Sequence, residues 1–122
     1  SAVIEKGAIN ISGLFSLRQT AYLISKSALI IGNDSMAVHM AVATESKSVC
    51  ILPGQEYGRF FPYPNMKNSN LHKDISLDWD CFGCGWKCKY KITKDQPFPC
   101  LKEISVNSVV DATNFYLNEF ST

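Results

Sequence analysis

The sequence has no apolar run approaching the roughly 20 residues that a membrane-spanning helix needs. Its longest apolar stretches are broken by Ser, Asn, Asp or Gly. A transmembrane helix is excluded, and a soluble chain is expected. There is little excess charge of either sign. Twelve Lys and Arg against eleven Asp and Glu leave +1, so no chain-wide field exists to hold a nucleic acid or an anionic membrane, and any anion site has to be local. Extended polar or low-complexity tracts are missing too. With 46% hydrophobic and 19% charged residues, the chain has the balance of a folded protein, not a disordered one. Ser1 to Gly7 lack a basic stretch followed by an apolar one, so no secretory signal is visible in this segment, and no initiator Met is present, so the sequence reads as a trimmed segment of a longer protein. At 122 residues there is room for one domain with a real core and not for two.

Cysteine, by contrast, is abundant. Cys81, Cys84, Cys88 and Cys100 form C-x2-C-x3-C-x11-C, and Cys50 stands apart in the apolar run Val49-Cys50-Ile51-Leu52. Without a signal peptide, this spacing points to the cytoplasm and a tetrathiolate metal site, with two disulfides or four unrelated thiols as the alternatives. Gly83 and Gly85 allow the tight backbone that turns nearby cysteines inward. Four thiolates, from two turns and one returning strand, suit zinc first and a single iron second, and a closed four-sulfur site is structural. Trp79 and Trp86 are expected to pack around this knot, and Cys50 belongs to the core.

The first half reads as strand, helix, strand, helix, strand. Ala8-Ile9-Asn10-Ile11 is a β-prone run. Ser16-Leu17-Arg18-Gln19 is a capping box that opens a helix, and Leu14, Leu17, Ala21 and Ile24 form its apolar stripe. Ala28-Leu29-Ile30-Ile31, stopped by Gly32, predicts a strand covered on both faces and therefore a parallel sheet. Asn33, Asp34 and Ser35 are all good caps for a helix over residues 36–44. Ser48 to Leu52 is the third strand, closed by Pro53-Gly54. The segment Gln55 to Asn68 is a loop whose Tyr57, Phe60, Phe61 and Tyr63 have to pack or bind. Asn70 to Ile75 predicts one more short strand, and His72 a surface position. Ser105 caps a last helix with Val106, Val109, Val110, Thr113, Leu117 and Phe120 on one stripe. Strands alternating with helices of this length form βαβ units of a doubly wound, Rossmann-like α/β sheet with flanking helices.

The most informative junction is Ile31-Gly32-Asn33-Asp34-Ser35-Met36-Ala37-Val38-His39. A helix that starts at the carboxyl end of a parallel strand presents free N–H groups and a partial positive charge, where such sheets bind phosphates. Ser35 and His39, four apart, share a helix face. The plainer reading has Asp34 as a helix cap and His39 as a satisfied core histidine. Arg59, after the third strand, either pairs with phosphate oxygens or stacks on Phe60 or Tyr57 and serves the loop.

The order Gly13, Ser16-Leu17, Ala28 to Ile31, Gly32-Asn33-Asp34-Ser35, His39 and Ala41 resembles the carboxyl-terminal half of the heptosyltransferase-type glycosyltransferases of family 9. Gly58-Arg59-Phe60-Phe61-Pro62-Tyr63-Pro64 and Cys81 to Cys88 resemble one branch of that family. The resemblance covers roughly Ile9 to Val110. It implies one half of a GT-B fold: a single nucleotide-sugar-binding domain over residues 1–122, within which residues 79–100 are the Cys-rich, metal-binding insertion that the cysteine spacing suggests. It further implies an ADP-sugar-type donor, no catalytic metal, and donor phosphates held by Asp34, Ser35 and the Met36 amide; His39, by its helix face, and Arg59, by its chemistry, are the further donor-site candidates. Met36 and Ala37 replace the family's Gly and Pro, which puts a side chain where backbone would approach phosphate most closely. No catalytic residue is assigned in this segment. The acceptor, a glycan or lipopolysaccharide-type molecule, and the carboxylate that deprotonates it are expected on an amino-terminal half, so the segment alone is expected to bind and not turn over. Peripheral contact with the inner membrane is compatible with that role. The alternative reading is a non-catalytic nucleotide-binding or metal-stabilised assembly module.

Overall fold

The computed structural model describes residues 2–65 and 67–118, and of Ala2 and Val3 only the backbone. The elements are α1 (Ala2–Glu5), α2 (Leu17–Lys26), β1 (Ile30–Asn33), α3 (Met36–Ala43), β2 (Ser48–Ile51), β3 (His72–Ile75), α4 (Pro99–Lys102) and α5 (Val106–Asn118). Single 3-10 turns lie at Gly54–Glu56 and Ser69–Leu71. The three strands are parallel in the order β1-β2-β3, a small α/β arrangement consistent with a Rossmann-like sheet.

Local signals placed the helices. Ser16 Oγ accepts the Gln19 amide while the Gln19 side chain accepts the Ser16 amide, so both halves of the capping box are made. At the start of α5 the Ser105 hydroxyl accepts the Ser108 amide. The inward face of α5 differs from the predicted stripe: Val109, Ala112 and Tyr116 meet the sheet, whereas Val106, Val110 and Leu117 are exposed. Phe120 lies outside the described residues.

β2 is the strand covered on both faces. Its alternate side chains point to opposite sides of the sheet. Cys50 joins Val38, Leu52 and Phe61 on the α3 side, and Val49 joins Ile75 and Tyr116 on the α5 side. Burial, with the carboxylates of Asp34 and Asp74 nearby, pushes the Cys50 thiol up to about 12, so Cys50 stays a neutral core residue. β1, predicted as the doubly covered strand, is an edge strand here, and Ile31 is 49% exposed. Residues 8–11 do not form a strand. They have no partner strand among the described residues, and the Asn10 side chain takes the Ser12 amide instead. Cys100 sits on the one-turn helix α4 and not on a returning strand.

His72, predicted at the surface, is only 9% exposed. Register pairs it with Ser48, whose hydroxyl lies 2.8 Å from His72 Nδ1. Burial holds its pKa below the ordinary 6.5. The folded chain therefore binds fewer protons than the unfolded chain just below pH 6.5. This contribution to stability is complete above that pH and is lost as pH falls through the folded value, with a slope of at most about 1.4 kcal/mol per pH unit. Urea unfolding at pH 7.5 and 5.5 checks this: the loss at pH 5.5 is expected to shrink in His72→Gln, and an unchanged loss contradicts it.

Candidate functional site

The carboxyl ends of β1 and β2 open on a cavity of about 140 Å³ lined by Asn33 at the end of β1 and Asp34 after it, Pro53, Gln55 and Glu56 after β2, and Trp86 and Leu101. Parallel sheets bind ligands at this place because successive strands end there and the next helix begins.

Ser35, and not Asp34, is the N-cap residue of α3, with extended backbone at φ −152° and ψ 176°. Its hydroxyl makes no capping hydrogen bond. The Val38 and His39 amides turn back to the Ser35 carbonyl. Those of Met36 and Ala37 find no backbone partner among the described residues. Two N–H donors and one hydroxyl thus remain available at the positive end of an eight-residue helix. Met36 is about half exposed, so its side chain is not packed into the core beneath the helix start.

Asp34 adds a carboxylate. His39 Nε2 stands 3.0 Å from Asp34 Oδ1, but Oδ1 is buried without a hydrogen-bond donor, so the imidazole is near yet not aimed at it. The other ring nitrogen, Nδ1, is hydrogen-bonded to the Tyr63 hydroxyl at 2.6 Å, and the two rings meet edge to face. Tyr63 in turn stacks edge to face on buried Phe61. His39 therefore ties the aromatic loop to α3 and brings the loop beside Asp34. It is neither a surface group nor a core histidine closed off from the site.

Arg59 lies elsewhere. Its Nη1 bonds Glu56 Oε1 at 2.7 Å, its guanidinium covers the Phe60 ring, and its side chain is 67% exposed. It borders a second, open hollow of about 330 Å³ that also involves Gln55, Glu56 and Tyr57. Gln55 and Glu56 form the wall shared by both spaces.

Two residues depart from the sequence reading. Trp86, expected to pack around the cysteines, lines the first cavity, is 58% exposed and meets the Phe98 ring in a T-shaped contact at 5.4 Å between centroids. Its backbone is left-handed, with φ 72°, an uncommon state for a bulky residue and one that tends to mark functional sites. Gly85-Trp86 in a turn was the available signal. Tyr63 was noted as an aromatic that had to pack, but its pairing with His39, 24 residues away, depends on the tertiary fold.

The four cysteines of the C-x2-C-x3-C-x11-C pattern are free thiols. Among the described residues, no group of three or more His, Cys, Asp or Glu side chains is drawn together as a metal-binding set, and no helix is long and apolar enough to cross a membrane.

Residues 2–78, more than half of the chain, match the family model of glycosyltransferase family 9 (heptosyltransferase). No curated protein and no solved structure matches the chain.

Proposed function

The chain belongs to glycosyltransferase family 9, and on that premise we propose that the junction of β1 and α3 receives the diphosphate of a nucleotide-sugar donor, making these residues the donor-binding part of a glycosyltransferase. The observation that carries the reading is the combination at one strand end: open amides at Met36 and Ala37, a Ser35 hydroxyl free of capping, and a buried Asp34 oxygen without a donor, all beside the cavity.

The chemistry divides accordingly. In glycosyl transfer the bond from the sugar's anomeric carbon to the phosphate oxygen breaks, and the nucleoside diphosphate leaves with the electron pair. The acceptor hydroxyl bonds that carbon and gives its proton to a base. Negative charge grows on the departing diphosphate, and N–H groups fixed at a helix start stabilise it without having to reorganise. Asp34 is suited to the sugar and not the phosphate, since an anionic oxygen repels phosphate but accepts a sugar hydroxyl. The resemblance to the family gives the acceptor-activating carboxylate to the amino-terminal half of a complete enzyme. We therefore assign no catalytic residue here, and propose a glycan or lipopolysaccharide-type acceptor and an ADP-type donor.

A volume of about 140 Å³ is below the roughly 300 Å³ of a typical ligand pocket. It suits a sugar ring or a diphosphate, with the rest of the donor extending over Gln55 and Glu56 into the hollow beside Arg59. There Arg59, released from Glu56, would contact the outer part of the donor. A thermal-shift screen of the chain with ADP-, GDP- and UDP-sugars tests the proposal. A saturable upward shift with one nucleotide class is expected, and no shift with any of them opposes it. Trp86→Ala is expected to weaken the binding about tenfold, the lower range of what stacking on an aromatic ring contributes. An unchanged affinity by calorimetry would remove Trp86 from the site.

A further inference from the structure

Residues 76–99 supply none of the buried hydrophobic core; Ile75 and Cys100 are the core residues on either side. The stretch between β3 and α4 holds no helix or strand. It is fastened by the amides of Gly83 and Gly85 to the carbonyls of Gly54 and Gln55, by the Lys89–Asp80 ion pair at 2.7 Å, and by the ring contacts Trp79–Tyr90, Trp86–Phe98 and Tyr57–Phe82. A segment of this length with so little burial does not offset its ordering entropy by apolar contact.

Cys81, Cys84, Cys88 and Cys100 are four of the eleven residues that line one small cavity of about 10 Å³, although among the described residues their side chains are not drawn together as a metal-binding set. Positions up to 19 residues apart in sequence, and on different structural pieces, have no reason in the chain path alone to share one cavity. Gly83, Gly85 and Trp86 are all left-handed, at φ 82°, 59° and 72°, and fold the chain sharply around Cys84. The Gly54 amide donates to Cys100 Sγ at 3.4 Å, a donor that also supports a thiolate.

We propose that these four sulfurs bind one thiophilic divalent cation, with zinc the best match in charge and geometry, and that this ion is what orders residues 79–98. On binding, each thiol gives its proton to solvent and the four sulfurs close around the ion, because ligation and local folding are one equilibrium. The resulting charge of −2 is matched within residues 79–98, where Lys87, Lys89, Lys91 and Lys94 outnumber Asp80 and Asp95 by two. Gln55 lines both this cavity and the larger one, so loss of the ion also loosens that shared wall. The inference is independent of the donor reading, since its readout is metal content and not nucleotide binding.

The test uses the full chain, reduced and stripped by chelator, then titrated with cobalt(II) and with zinc. Expected are one ion per chain, the visible and charge-transfer absorption of tetrahedral cobalt–thiolate, and protection of four thiols from a thiol reagent. Cys84→Ser and Cys100→Ser are each expected to lower affinity by more than the roughly 10- to 100-fold that loss of an outer-shell partner costs. Chelation is expected to open residues 79–98 to proteolysis while far-ultraviolet circular dichroism stays largely native. Binding well below one ion per chain, two disulfides found by mass mapping of freshly purified protein, or a cobalt spectrum unchanged in Cys100→Ser would each overturn the proposal. Should Cys84→Ser fail to fold, Cys81→Ser and the metal content of the native chain still decide it.

Discussion

Phe61→Ala is expected to cost about 3–5 kcal/mol of stability, the range for removing a buried aromatic side chain. Phe61 is 1% exposed and packs with Val38, Cys50 and Leu52, so it carries the aromatic loop into the core on the α3 side of the sheet. Against the 5–15 kcal/mol that typically separates folded from unfolded domains, such a loss is a large fraction of the total. The effect reaches the site as well. Phe61 supports Tyr63, and Tyr63 holds His39 beside Asp34. Phe61→Leu, which keeps most of the volume, is expected to recover most of the stability. Denaturant unfolding of the three proteins checks both parts, and a loss under 1 kcal/mol for Phe61→Ala would show that the loop is not anchored there.

Ser35→Ala is expected to weaken nucleotide-sugar binding by about 1.5–3 kcal/mol, the contribution of one hydrogen bond to a charged group, or roughly 10- to 150-fold in Kd. The helix itself should lose little, because the Ser35 hydroxyl makes no capping bond. That separates ligand binding from folding in one substitution. Calorimetric titration together with a melting curve checks it: reduced affinity at unchanged Tm is expected. Reduced Tm at unchanged affinity would make Ser35 a helix-stabilising residue only.

The features legible in the sequence are those encoded within a few residues. The Ser16–Gln19 box and the Ser105 cap are local hydrogen-bond patterns, and both formed. The parallel sheet followed from apolar runs separated by helix patterns, but which run would be central did not. Ala28 to Ile31 is wholly apolar while Ser48 to Ile51 begins with a polar Ser, yet the pairing of β2 with strands on both sides makes β2 the buried one and leaves Ile31 half exposed. The same non-local pairing buries His72 against Ser48, 24 residues away. At the candidate site, Asp34, Ser35 and Met36 were legible because a strand-to-helix junction is contiguous. Trp86 and Tyr63 were not, because they arrive from distant loops whose direction is set by left-handed turns and by packing on Phe61.

The most direct test of the central claim is an amide-resolved nuclear magnetic resonance titration of the chain with the nucleotide sugar that gives the largest thermal shift, following Met36 and Ala37. Their N–H groups find no backbone acceptor among the described residues, so a diphosphate placed at the start of α3 supplies one to each. The account predicts large, saturable downfield shifts of both amides with one common Kd, and smaller changes at Gln55 and at the Trp86 indole. Saturable binding that leaves Met36 and Ala37 unmoved would contradict it.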